Sequence, residues 1–253
     1  MTNTMFNIFK KFRGIPSGSK SDKIIAQTRD NYNIIAKHFS DTRKNVWPEF
    51  EFYQEFIKDG QNILDWGCGS GRFLRFIKDK KIRYFGVDIS SGLLKEAKKE
   101  FVSMIENEKA HFICSDLEAL NFPASFFDCV FMIASFHHLP DEETRLKLLK
   151  TLHKEMKVGG KLVISVWNLK NEWARKKLKT PGWKKTGDSD YIVPWKNGNG
   201  KIIAKRYYHG FSKDELKVLL EKSGFKMLDS KLFKHHTYPD DPDGRNLIVV
   251  AEK

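Results

Sequence analysis

No apolar run in the 253-residue chain approaches the roughly 20 residues that a membrane-spanning helix needs. The stretch 5–9, Met-Phe-Asn-Ile-Phe, is too short and too interrupted for a signal peptide. Cysteine is scarce: Cys68, Cys114 and Cys129 are too few and too scattered for a disulfide framework, and none belongs to a Cys-x-x-Cys pair. These absences predict a protein of the cytoplasm with no membrane contact and no metal centre. Internal repeats and low-complexity segments are also missing. With 40% hydrophobic residues the chain carries enough apolar material for one large domain or two small ones, and its composition excludes disorder.

Acidic residues are in the minority, and the formal net charge is +13. Residues 161–236 hold 18 Lys and Arg against 7 Asp and Glu, and the first twenty residues add four basic groups and no acid. The middle of the chain is close to neutral. A field distributed in this way favours a polyanionic partner such as nucleic acid, the plain alternative being a solubilising surface.

Residues 1–20 mix Phe6, Phe9 and Phe12 with Lys10, Lys11 and Arg13 and read as a mobile basic leader; 21–253 reads as a single domain. Helices are expected at 22–39 and 49–57. Short apolar runs at 62–65, 84–88, 111–114, 127–133 and 161–167 then alternate with amphipathic stretches at 71–78, 91–106 and 141–156, the last capped by Gly159 and Gly160. Such alternation predicts an α/β fold, a mostly parallel sheet wound on both faces. Residues 168–211, rich in Lys, Gly, Trp and Tyr, interrupt the pattern as a basic binding insertion. A helix at 212–223 and an antiparallel pair, 225–233 with 247–251, close the chain.

The strongest local signal is Asp65-Trp66-Gly67-Cys68-Gly69-Ser70-Gly71, a strand end running into a glycine turn that opens a helix. Glycine there lets the backbone approach a ligand closely. Asp88, at the end of the next strand, is placed to accept both hydroxyls of a ribose. Asp65 argues against a pyrophosphate, beside which an acid is unfavourable, and for a ligand bearing an ammonium group. Asp116 ends the third strand and could accept from an adenine amino group. His137 and His138 follow the fourth strand; being adjacent they point different ways, one under the loop and one toward the cleft, and no metal-ligand spacing completes a site.

In these motifs the chain resembles the class I S-adenosylmethionine-dependent methyltransferases over roughly 30–170. The resemblance implies a Rossmann-like, seven-stranded sheet with an antiparallel last strand, and contacts from Asp65, Gly67, Gly69, Asp88 and Asp116 to the cofactor. It adds Tyr32, Cys68, Ile89, Leu117 and Ala134 to the same site.

Flanking motifs narrow the resemblance. His38-Phe39-Ser40-Asp41-Thr42-Arg43 with Trp47-Pro48, Val163–Trp167, Val193-Pro194-Trp195-Lys196 and Arg206-Tyr207-Tyr208-His209 are similar to the tRNA wobble-uridine carboxymethyl methyltransferases. That likeness implies methyl transfer to the carboxylate of 5-carboxymethyluridine, with the tRNA anticodon loop as partner and, as in eukaryotic members, a small zinc-binding activator subunit. The candidate catalytic residues are then Arg43, His138, Arg206 and His209. A guanidinium presents a planar fork to a carboxylate, and the alternative for Arg43 is the methionine carboxylate of the cofactor. Trp47, Trp195, Tyr207 and Tyr208 are candidates for stacking on or hydrogen-bonding a splayed base, and Lys176, Lys177, Lys184 and Lys185 for following the phosphates. A small-molecule methyltransferase and a catalytically silent RNA-binding protein are the alternatives.

Overall fold

A computed structural model of the chain describes residues 18–115, 122–234 and 243–253. The strands are β1 (Asn62–Trp66), β2 (Arg83–Asp88), β3 (Ala110–Cys114), β4 (Phe127–Ile133), β5 (Met156–Trp167), β6 (Lys184–Lys185), β7 (Asp190–Lys196), β8 (Ile202–His209), β9 (Lys226–Phe233) and β10 (Asn246–Glu252). Between them lie α1 (Lys20–Thr42), α2 (Glu49–Tyr53), α3 (Arg72–Ile77), α4 (Ser91–Glu100), α5 (Val102–Glu106), α6 (Glu142–Glu155), α7 (Glu172–Lys177) and α8 (Lys213–Lys222).

Seven strands form one sheet in the order β3-β2-β1-β4-β5-β10-β9, and only β10 runs against the others. The inner strands are near-continuous apolar runs because both faces are covered. Alternate residues go to opposite sides: Leu64, Val130 and Ile164 pack with Leu148 and Leu152 of α6 and Leu216 and Leu220 of α8. Ile63, Phe131 and Val163 pack with Phe50 and Tyr53 of α2 and Phe73 and Leu74 of α3. Successive strands diverge from β1, β2 on one side and β4 on the other, so the chain reverses direction across the sheet there. The crevice at the carboxyl ends of these strands is where open parallel sheets bind ligands.

The expected elements are present, with three corrections. The helix expected at 91–106 is two helices broken at Phe101, whose ring is buried against Gly71; a Cβ on that glycine would lie 2.6 Å from it. Gly159 and Gly160 do not cap α6, which ends at Glu155, but lie inside β5, where the Gly159 N–H donates to the Lys253 carbonyl at 2.9 Å. Lys20, placed in the leader by composition, begins α1, which Ser19 and Asp22 open with a reciprocal capping box.

The basic segment after β5 folds as α7 and a separate antiparallel sheet, β6-β7-β8. Along one face of this sheet Trp195 and Ala204 pack on Ile35 of α1, while Tyr191, Val193 and Tyr208, toward its other end, pack on Leu169 and Ala174. Helix α1 therefore joins the two sheets. Asn33 of α1 accepts from the Ser90 hydroxyl at 2.8 Å and the Gly92 N–H at 3.0 Å, and Asn31 donates to the Lys205 carbonyl of β8 at 2.6 Å. No helix among the described residues is long and apolar enough to cross a membrane.

Candidate active site

A cleft of about 170 Å³ opens at the carboxyl ends of β1, β2 and β4, with α1 and the small sheet forming its other wall. Its floor is the glycine turn. Gly67 and Gly69 take φ of +77° and +56°, which side-chain-bearing residues rarely adopt. A Cβ on Gly67 would lie 2.3 Å from the Cβ of Ser135, so the turn between β1 and α3 can lie against the loop after β4 only as glycine. The N–H groups of Gly67 and Cys68 donate to the Val87 carbonyl at 2.7 and 3.0 Å, tying the turn to β2.

Two buried acids face this floor. Asp88 accepts the Gly69 N–H on one carboxylate oxygen and the Ser90 N–H on the other, each at 2.8 Å. Burial pushes its carboxyl up to about 6 against the pull of those backbone donors. Asp65 accepts the Tyr84 hydroxyl at 2.6 Å. Burial drives it to about 7, the Tyr84 bond opposing the rise and the Asp88 charge adding to it. Each carboxylate oxygen of Asp88 has a further lone pair, so the residue can accept hydroxyl donors without losing the turn. Ile89 and Ala134 line the same cleft, as does Cys68, whose thiol burial pushes well above its ordinary range. Ala134 holds φ of +52°, a strain of about 1 kcal/mol, its N–H bonded to the Ser165 carbonyl at 2.8 Å. Asp116 and Leu117 lie outside the described residues.

The opposite wall is cationic and aromatic. Arg206 is buried, donates from Nη1 to the Tyr32 hydroxyl at 3.3 Å, and leaves its Nε without a partner. Its guanidinium carbon lies 4.9 Å from the Trp195 ring centroid and 5.2 Å from that of Tyr208. Arg43, at the end of α1, packs on Trp195 and Phe39. Burial first, and then the Arg206 charge, depress the Arg43 guanidinium. Neither arginine pairs with an acid among the described residues.

His138 lines the cleft with both ring nitrogens engaged. Nδ1 lies 2.8 Å from the Tyr207 carbonyl, which can only accept, so the hydrogen sits there, assigned from this network. Nε2 then accepts the Tyr32 hydroxyl at 2.8 Å. Burial pushes the imidazole down to about 3, so it is neutral. His137 is fully buried, accepts the Trp167 N–H at 3.2 Å, and does not line the cleft.

Other expected residues sit elsewhere. His209 does not reach the cleft: its Nδ1 is 2.8 Å from Asp190 and its Nε2 2.8 Å from Glu215. Tyr207 turns its hydroxyl to Asp190 at 2.7 Å and to the Pro140 carbonyl at 3.1 Å. Trp195 lies behind the arginines rather than in the cleft, donating to His38 at 2.9 Å. Lys176 pairs with Glu172, and Lys177 sits 5.9 Å from the Trp173 ring centroid, both away from the cleft. Trp47 and Tyr208 do line it. Thr28, Ser135, Trp167 and Arg72, none of them among the site residues expected from sequence, also line the cleft. For Arg72 a signal existed, since it directly follows the glycine turn. Among the described residues no group of three or more His, Cys, Asp or Glu is arranged to hold a metal.

A nucleoside joined to an amino acid fits these residues: Asp88 for ribose hydroxyls, Asp65 for an ammonium, and Thr28, with an unpartnered hydroxyl, in the lining of the same cleft. A sheet of this strand order with β10 antiparallel, a glycine turn after β1 and buried acids in β1 and at the end of β2 fits an S-adenosylmethionine-dependent methyltransferase. The methyltransferase-domain family matches residues 39–230. A tRNA (carboxymethyluridine(34)-5-O)-methyltransferase of Schizosaccharomyces pombe is 30% identical over 240 residues, covering 88% of this chain and 94% of that protein. Its namesake alkbh8 of Xenopus tropicalis is 27% identical over 88% of this chain and 40% of that longer protein. In three dimensions the chain superposes on the 1,6-didemethyltoxoflavin-N1-methyltransferase of Burkholderia thailandensis with a TM-score of 0.66 at 18% identity, covering 93% of this chain and 91% of that one. The chain belongs to the methyltransferase-domain family, within the group of the tRNA (carboxymethyluridine(34)-5-O)-methyltransferases.

Proposed function

We propose that the protein transfers the methyl group of S-adenosylmethionine to the carboxylate of 5-carboxymethyluridine at the tRNA wobble position, giving the methyl ester. The observation that carries this reading is the pair of guanidiniums, Arg43 and Arg206, turned toward the cofactor cleft without an acid of their own. When bound, the cofactor supplies an electrophilic methyl on a sulfonium sulfur. A carboxylate is already ionised at neutral pH, so its oxygen forms the new O–CH₃ bond as the S–CH₃ bond breaks, the electron pair passes to sulfur, and no proton moves. The protein's work is alignment and charge. Arg206 holds the second carboxylate oxygen; Tyr32, fixed between Arg206 and His138, sets the guanidinium's position; and Tyr208, packed on Arg206, borders the entering base. Arg43 shares the grip on the carboxylate or takes the cofactor's methionine carboxylate.

The tRNA anticodon loop is the macromolecular partner in this reading, a small zinc-binding activator subunit the second, and the cytoplasm the place of action, in keeping with three free cysteines. The test is nucleoside mass spectrometry of tRNA carrying unesterified carboxymethyluridine, incubated with protein and cofactor, with and without such a subunit. A methyl-ester nucleoside is expected. Its absence in both incubations, with cofactor binding verified, removes this acceptor.

A further inference from the structure

Arg72 has no part in the chemistry above, yet it lines the cleft in a defined orientation. Its Nε donates to the Arg43 carbonyl at 2.9 Å, which fixes the guanidinium plane and leaves the two Nη groups without a partner among the described residues. The guanidinium carbon lies 4.6 Å from the centroid of Trp47, which also lines the cleft. Arg75, one turn on in α3, makes a similar bond from Nη1 to the Lys44 carbonyl at 3.2 Å, but its charge is met by Glu100 at 2.5 Å. Arg72 has no such acid among the described residues. Lys44, which follows the Arg43 carbonyl that accepts from Arg72, is exposed and makes no ion pair among the described residues. Burial first, and then the charges of Arg43 and Arg75, depress the Arg72 guanidinium to about 9.

The wobble-uridine reading, on which this inference rests, places the acceptor base deep in the cleft beside Arg206. What passes through the mouth is then the backbone that carries that base. We propose that Arg72, stacked on Trp47 and flanked by Lys44, is a phosphate site that holds the RNA backbone next to the nucleotide being modified. A planar guanidinium with both Nη groups unpartnered meets two phosphate oxygens at once. Trp47 covers its other face, so the side chain is set before RNA arrives. The same fork could instead meet the methionine carboxylate of the cofactor, and the experiment separates the two.

Binding of a labelled anticodon stem-loop RNA to protein saturated with S-adenosylhomocysteine is measured by anisotropy over a series of salt concentrations, for wild type, Arg72→Gln, Arg72→Lys and Lys44→Gln. Lys44 is an exposed side chain, so its variant tests the site without a packing change. Loss of one phosphate contact on single-stranded RNA lowers the slope of log K against log salt by about 0.7. Each Gln variant is expected to show that reduction and a roughly three- to tenfold weaker complex at low salt, while calorimetric affinity for S-adenosylhomocysteine stays within about twofold. Arg72→Lys is expected to keep the slope and lose affinity, because charge remains and the planar fork does not. An unchanged slope in Arg72→Gln overturns the site. A fall in cofactor affinity with unaltered RNA binding also overturns it, and moves the guanidinium to the methionine carboxylate. Wild-type protein that binds cofactor but shows no salt-dependent RNA binding overturns the wobble-uridine reading itself, and the site with it.

Discussion

Arg43 and Arg206 each hold a guanidinium carbon 4.9 Å from the centroid of one indole ring, that of Trp195. Two like charges sharing one aromatic wall without an acid repel one another, and an entering anion relieves both. Arg206→Ala is therefore expected to lower turnover by roughly a hundredfold or more, the scale of removing one preorganised donor from a developing charge. Cofactor affinity, measured by calorimetry, is expected to hold. A variant that loses cofactor instead would move Arg206 to the other half of the site.

Cofactor binding is expected to be proton-linked. Asp65 and Asp88 are raised by burial to about 7 and about 6 from 3.8. Carboxyls raised on folding give the unliganded protein stability that is complete below about 4 and lost as pH rises through 6 and 7. Ammonium and hydroxyl donors of the cofactor favour the ionised forms, so affinity rises over that same interval and binding releases protons. Calorimetry at pH 6.5 in two buffers of different ionisation enthalpy reads the release directly; equal heats in both would contradict it.

With cofactor and RNA saturating, turnover is expected to be flat from pH 5.5 to 8. His138 is pushed to about 3 and spends both nitrogens on Tyr32 and Tyr207, so no histidine of the cleft titrates there as a base. The acceptor carboxylate needs none. A limb in kcat near 6.5 that disappears in His138→Gln would restore the histidine to proton transfer.

Gly67→Ala is expected to destabilise the protein by about 2–4 kcal/mol, since a Cβ 2.3 Å from that of Ser135 must push the β1 and β4 loops apart against a positive φ. The urea midpoint measures it. A variant as stable as wild type would mean that the two loops separate freely.

His209 bridges Asp190 in β7 and Glu215 in α8, fastening the small sheet to the core. His209→Leu leaves two acids facing an apolar side chain and is expected to lower stability by about 1–3 kcal/mol at pH 7. Burial raises the Glu215 carboxyl, but the His209 bond and charge, with Arg145, outweigh it and hold the group below 4.5. A lowered carboxyl gives stability present above its unfolded value and lost as acid passes below 4.5. The leucine variant is thus expected to lose less on going from pH 7 to pH 4 than wild type does, as urea midpoints at the two values would show.

Much of this architecture is written locally. The strand at 127–133 needed only its apolar run, and the glycine turn meets Asp65 and Asp88 at the cleft floor because all of them lie within a few positions of their own strand ends. The histidine pair also divided as its adjacency required, one into the cleft and one beneath it. The acceptor half was less legible because it depends on which residues meet across the small sheet. Lysines and Pro194 break the apolar run that marks a strand, hiding β7 and β8, and no motif ties His209 to Asp190 on the neighbouring strand. Trp195 and Tyr207 have the residue types of a base-stacking surface, yet the sheet's register turns one behind the arginines and the other toward Asp190.

The placement of β10 between β5 and β9 has a consequence for how the protein comes into being. Residues 246–252 pair on both edges, with β5 and with β9, so a chain made from its N-terminus leaves the β5 edge open until this last strand emerges. An unpaired inner strand is a standing invitation to wrong partners. Trp167, at the end of β5 opposite Asn246, is also a wall of the cleft. Synthesis past β10 therefore closes the β5 edge and completes the pairing at Trp167 beside the cleft.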